Sequence, residues 1–102
     1  MTGLEPISAG MIDFYVGRPD VVIIDLRSEE EFTSGHIRGA VNIPYDDAEE
    51  KIQYSRRKVL LLYCERGASS LAMGKQLAER GYQVKSVIGG IRAYRGRNFV
   101  IA

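Results

Sequence analysis

Only one cysteine, Cys64, and one histidine, His36, occur in the 102 residues. A lone thiol rules out an internal disulfide, a paired-cysteine redox or zinc motif and an intramolecular resolving partner, and it fits a reducing compartment. Long apolar runs are missing as well. None approaches the roughly 20 residues that a membrane-spanning helix needs, and the first residues lack a basic segment followed by an apolar one. A cytoplasmic protein with no membrane partner is therefore expected. Excess charge of either sign is absent too: 14 basic and 13 acidic residues leave +1, the signs mix along the chain, and no overall field exists to draw nucleic acid. There is no internal repeat and no low-complexity stretch. With 45% hydrophobic residues, the expectation is one core in one domain spanning residues 1–102.

What is present centres on Val59-Leu60-Leu61-Leu62-Tyr63. Five apolar residues without polar alternation are too few for a helix and read as a strand buried on both faces of a parallel sheet. The strand ends at Cys64. Glu65, Arg66, Gly67 and Ala68 follow, and then a helical pattern runs from Ser69 or Ser70 to Arg80, stopped by Gly81. Open α/β sheets bind ligands at such strand ends. Backbone N–H groups converging into a helix N-terminus suit an anion, and a thiol placed among them is favoured as the thiolate.

The flanking chain alternates in the same way. Ser8 is placed to cap a short helix carrying Met11, Phe14 and Tyr15 on one side, with Gly17 and Pro19 as the stop. Val21–Ile24 reads as a second doubly buried strand leading to Asp25-Leu26-Arg27. Ser28 and Glu31 have capping-box spacing for a short helix that ends before Gly35. Residues 39–44 read as a short strand closed by Pro44. A helix is expected over residues 46–54, with acids leading and Arg56-Arg57-Lys58 trailing as a solvated end. Met73 and Leu77 line one face of the helix after Cys64. Gly74 within it costs roughly 1 kcal/mol relative to alanine, which close packing on the sheet would explain. Residues 83–87 give a strand, Gly89-Gly90 a turn, residues 91–94 a helical turn, and residues 99–101 a terminal strand or packed tail. Strands alternating with helices imply parallel β-α-β units.

Cys64-Glu65-Arg66-Gly67-Ala68-Ser69-Ser70 resembles the active-site loop of the rhodanese-like, or single-domain thiosulfate sulfurtransferase, family. Asp25-Leu26-Arg27, Glu31-Phe32, Gly35-His36-Ile37, Gly39-Ala40, Asn42-Ile43-Pro44 and Gly89-Gly90 match further family motifs in the family's order. The resemblance implies a three-layer α/β/α fold around a central, mostly parallel five-stranded sheet. It makes Asp25 and Arg27 structural, with Arg27 in a buried pair, and gives His36 a hydrogen-bonding role in the fold rather than that of a base. Many members carry arginine where this chain has Ser69, and an aromatic, often tryptophan, after the glycine pair, where Tyr94 stands here.

The chemistry expected is nucleophilic: Cys64 takes the outer sulfur of thiosulfate or a similar small anion as a persulfide and passes it to a thiophilic acceptor, a thiol or a protein. Backbone amides of Glu65, Arg66, Gly67, Ala68, Ser69 and Ser70, with the hydroxyls of Ser69 or Ser70, would stabilise the persulfide. No metal or cofactor is required. Arg66 reads either as a sulfonate-docking cation or as an exposed loop charge. Arg92, Arg95 and Arg97 form a basic cluster, read as mainly solvated. A purely packing role for Cys64 leaves the glycine-and-serine continuation unexplained. Dual-specificity phosphatases and arsenate reductases share such a fold, but their site would need arginine where Ser70 stands. Two other readings keep the same loop: a persulfide relay fed by a cysteine desulfurase, and a scaffold with an idle cysteine.

Overall fold

Apolar strands without polar alternation need cover on both faces, and the chain supplies it by laying helices on each side of a parallel sheet. The computed structural model describes residues 3–101. In chain order its elements are β1 (Leu4–Ser8), α1 (Ile12–Tyr15), β2 (Val21–Asp25), α2 (Glu29–Ser34), β3 (His36–Ile37), β4 (Val41–Asn42), α3 (Tyr45–Lys51), β5 (Val59–Tyr63), α4 (Ala68–Glu79), β6 (Gln83–Ile88) and β7 (Phe99–Val100). Five strands form one sheet in the order β1-β6-β5-β2-β4. Every pairing in it is parallel. β3 and β7 make a separate antiparallel ribbon.

β5 lies at the middle, and its side chains alternate between two cores. Leu60 and Leu62 pack with Ala48 of α3 and with Met73 and Leu77 of α4. Leu61 and Tyr63 pack on the opposite face with Ile7, Ile12, Ile23 and Val87. Each of these four β5 side chains is fully buried, a contribution of roughly 1.5–3 kcal/mol apiece. The register pairs Ile24 with Leu62 and Asp25 with Tyr63. β2 and β5 therefore finish side by side, and the Asp25 and Cys64 loops emerge at one edge of the sheet.

Local signals hold where the interaction is local. Ser28 accepts from the Glu31 N–H at 3.2 Å and its own N–H donates to the Glu31 carboxylate at 3.1 Å, closing the predicted capping box. Gly81 adopts φ +93° just beyond α4. A Cβ on Gly74 would lie 2.8 Å from a Leu4 methyl, so close packing against the sheet does account for this glycine.

The N-terminal reading is corrected. Ser8 makes no side-chain cap and instead ends β1, which runs along β6 at the sheet's edge. Pro6 within that segment weakens its strand signal, yet an edge tolerates a residue that cannot donate. The fifth strand of the sheet is thus N-terminal, whereas Phe99–Val100 pairs with β3. In α1 the buried residue is Ile12, while Phe14 and, in the turn just before the helix, Met11 are exposed. One helical turn can bury only a narrow stripe, and Ile12 with the half-buried Tyr15 occupies it. α3 also stops earlier than expected. Ile52 turns extended to enter the core, and Tyr54 donates its N–H to the Tyr82 hydroxyl at 3.0 Å.

Candidate active site

Cys64 follows the last residue of β5, and Gly67, at φ +111°, redirects the chain into α4. That dihedral lies where residues with a Cβ are strained. The turn brings two backbone donors onto the sulfur: Gly67 N–H at 3.0 Å and Ser70 N–H at 3.3 Å. Both belong to the N-terminus of a 12-residue helix, whose dipole adds positive potential at the same point. Cys64 is only 6% exposed, so these amides act where water screens little. Of the six amides expected to converge, two reach the sulfur.

The serine hydroxyls differ from expectation. Ser70 Oγ donates to the Gly67 carbonyl at 3.1 Å and pairs with Ser86 Oγ at 3.0 Å, both residues being buried. A hydroxyl has one proton, so Ser86 is the donor in that pair. The Ser70 hydroxyl ties the loop to β6 while its N–H alone serves the sulfur, and Ser69 is exposed with no hydrogen bond to the sulfur among the described residues. Ser86 is absent from the sequence-derived site. Its only sequence signal is a polar residue in the otherwise inward-facing series Val84, Ser86.

Gly89-Gly90 has a function that spacing alone does not reveal. Ile91 N–H donates to the Cys64 carbonyl at 2.9 Å and Arg92 N–H to the Glu65 carbonyl at 3.2 Å. A Cβ on Gly90 would fall 2.6 Å from the first of those oxygens and 2.5 Å from the second. The glycine pair lies flat against the loop and lets the following turn clamp it.

The remaining site candidates divide into two groups. Asp25 and Arg27 form a buried pair with multiple contacts: Nη2 to Oδ2 at 2.8 Å, Nε to Oδ1 at 3.1 Å, and the Arg27 N–H to Oδ1 at 2.8 Å. Arg27 also donates to the Gly35 carbonyl at 2.6 Å. Asn42 reaches across to the Asp25 and Arg27 carbonyls. Burial, reinforced by the Asp25 charge, pushes the Tyr63 phenol far above its ordinary range, so it stays neutral while accepting from Ile37 N–H. His36 donates Nδ1–H to the Phe32 carbonyl at 2.8 Å and stacks on the Phe32 ring at 3.8 Å; none of its contacts is to Cys64.

Around the loop itself, Glu65 accepts from Arg92 Nε at 3.1 Å and lies 3.7 Å from Arg27 Nη1. Arg66 is exposed, with no ion pair among the described residues. Ala68 opens α4 at the surface. Among the described residues no group of acidic, histidine or cysteine side chains is arranged to hold a metal, and no helix is long and apolar enough to cross a membrane. Ser70 occupies the place of the phosphatase arginine and points its hydroxyl at a backbone carbonyl.

A thiol at a strand end, held by two loop amides and backed by a glycine clamp, coincides with a match to the rhodanese-like domain model over residues 13–97. The chain belongs to the rhodanese-like domain family. Over 85 residues it is 29% identical to a thiosulfate sulfurtransferase, GlpE, of Coxiella burnetii, covering 81% of this chain and 79% of that one. It is 34% identical over 76 residues to a tRNA sulfurtransferase of Desulfurococcus amylolyticus, covering 74% of this chain but 15% of that much longer protein. A rhodanese-related protein from Thermoplasma volcanium superposes with a TM-score of 0.86 at 26% identity, over 96% of this chain and 99% of that one. The all-parallel five-stranded sheet with its flanking helices is thus the rhodanese-like architecture.

Proposed function

We propose that this rhodanese-like domain is a sulfurtransferase that carries a sulfane sulfur as a Cys64 persulfide. The observation that carries the reading is the pair of amides, Gly67 and Ser70, donating to one nearly buried sulfur. Fixed dipoles of this kind stabilise a sulfur anion with no reorganisation at the moment of reaction. The Cys64 thiolate attacks the outer sulfur of thiosulfate. A new S–S bond forms, the S–S bond of thiosulfate breaks, and sulfite departs with the bonding electron pair. The thiolate's electron pair becomes the new bond, and the outer sulfur keeps the negative charge it carried in thiosulfate as the anionic end of the persulfide. An acceptor nucleophile then takes that sulfur and returns Cys64 as thiolate; with cyanide the product is thiocyanate.

Thiosulfate is the donor class that best suits the site, because it is a small divalent anion and Arg66 stands at the loop with its charge uncompensated. Sulfurtransferase names among the relatives support the reaction class. The single free thiol suits a reducing, cytoplasmic setting. Asp25, Arg27 and His36 support the loop's surroundings and take no part in bond exchange.

Intact mass measured after brief thiosulfate exposure tests this directly. One added sulfur on the wild-type chain, none on Cys64→Ser, and its removal by cyanide as thiocyanate are expected, with Cys64→Ser melting as the wild type does. Sulfur transfer persisting in Cys64→Ser would overturn the mechanism. Loading by a cysteine desulfurase but not by thiosulfate would convert the reading to that of a relay.

A further inference from the structure

A pocket of about 420 Å³ flanks the Cys64 loop on the side of Glu65, lined by Arg27, Glu65, Ile91, Arg92, Arg95 and Phe99 among others. Its volume lies within the range of about 300–1,000 Å³ typical of small-molecule sites. The wall is tied to the loop through the Ile91 and Arg92 N–H bonds to the Cys64 and Glu65 carbonyls. The chain beyond is anchored as well. Tyr94 donates its hydroxyl to Asp13, and Asn98 bonds to both Tyr94 and Asp13.

The charges in this pocket do not cancel. Arg27 is matched by Asp25, and Arg92 by Glu65. Arg95 has only neutral partners: its Nη1 donates to the Arg92 carbonyl at 2.8 Å and the Tyr94 carbonyl at 2.9 Å. Those two bonds orient the guanidinium and leave Nε and Nη2 without a protein acceptor among the described residues. A planar fork held in this way matches a carboxylate. Ile91 and the half-exposed Phe99 add apolar surface.

We infer that this pocket binds the carboxylate of a small anionic thiol that serves as the sulfur acceptor, with Arg95 as the residue that selects it. The inference rests on the sulfurtransferase reading of Cys64. An acceptor thiol releases its proton to solvent and attacks the outer sulfur of the persulfide. The new S–S bond joins acceptor and sulfane sulfur, the Cys64 S–S bond breaks, and Cys64 leaves as thiolate. Two anions meet in that step, so a cation beside the loop favours the encounter. Thiosulfate is too small to need such a pocket; a flexible thiol bearing carboxylates is not.

The test uses the full chain loaded with thiosulfate, the persulfide content being measured by mass in each sample. The wild type, Arg95→Gln and Arg95→Lys are mixed with glutathione and, separately, with 2-mercaptoethanol. The readout is the ratio of sulfur-removal rates for the two thiols, which cancels differences in loading and folding. Loss of one charge-assisted contact should lower that ratio roughly tenfold in Arg95→Gln, with partial recovery in Arg95→Lys. An unchanged ratio would overturn the inference. In parallel, S-methylglutathione, which has no thiol, is titrated while the backbone amide resonances of Ile91, Arg95 and Gly96 are followed. Shifts in the wild type that vanish in Arg95→Gln support the site, and their absence in the wild type overturns it. If thiosulfate leaves no sulfur on the wild type, the donor reading fails, and the titration still decides the pocket.

Discussion

At the scale of single residues the site depends on partners that are already committed. Removing Asp25 leaves the Arg27 charge, whose side chain is 8% exposed, with only the half-exposed Glu65 carboxylate at 3.7 Å beside it. Breaking a buried pair in this way costs about 3–5 kcal/mol. Asp25→Ala is therefore expected to lower stability by that order in urea denaturation. Asp25→Leu combined with Arg27→Met should recover most of it, because the pair is then replaced by apolar groups of similar volume. Full sulfur-loading activity per folded molecule in Asp25→Ala would agree with its placement away from the reacting atoms. Ser86 is a subtler case. Ser86→Ala removes the donor to Ser70 and loosens the Ser70–Gly67 tie beneath the two sulfur-facing amides. The expected result is a few-fold slower alkylation of Cys64 by iodoacetamide, at a stability cost of about 1 kcal/mol. A large stability loss with unchanged thiol reactivity would show that Ser86 is a core residue only.

At the scale of elements, the clamp between the Gly89-Gly90 turn and the Cys64 loop is the junction that sets the site. Gly90 has φ +63°, and any Cβ there would press on two backbone oxygens at 2.6 Å or less. Backbone atoms cannot swing aside as a flexible side chain can. Gly90→Ala should therefore displace the loop and abolish most persulfide loading, with a fall in melting temperature as the second sign. Normal loading in this variant would mean that the clamp is dispensable. The sequence shows the turn, since two glycines after a strand are a strong punctuation signal. It does not show what the turn presses against, because 25 positions separate Cys64 from Gly89 in the chain. Helix ends illustrate the same division. The Ser28–Glu31 box is legible because both partners lie within one turn, while the early stop of α3 is set by Ile52 entering a core built from distant residues.

At the scale of the whole molecule, Asp13 near one terminus and the segment from Tyr94 to Asn98 near the other are joined by one hydrogen-bond cluster. The Tyr94 hydroxyl, and after it the Asn98 side chain, hold the Asp13 carboxyl below its ordinary value of 3.8. A carboxyl lowered on folding adds stability that is present above the unfolded value and lost as pH falls through the folded one. Burial and the Asp13 bond raise the Tyr94 phenol above its usual 10.0. That contribution is present below the unfolded value and fades at higher pH. The melting temperature of the wild type should thus exceed that of Asp13→Asn at neutral pH, with the gap closing from about pH 5 downward. A gap independent of pH would assign the effect to packing.

What the sequence determined by itself was everything carried by neighbours in the chain: two doubly buried strands, the helix after Cys64, the capping box, and a lone thiol placed at a strand end before a helix. These follow from side-chain periodicity and from backbone needs that nearby residues satisfy. The tertiary structure alone decided that β1 completes the sheet, that Ser70 turns to Ser86 rather than to the sulfur, that Gly90 clamps the loop, and that Arg95 keeps an uncompensated charge beside it. Each of those outcomes depends on which distant groups become buried together. Burial is what turns a lone hydroxyl, glycine or guanidinium into a group that must find a partner.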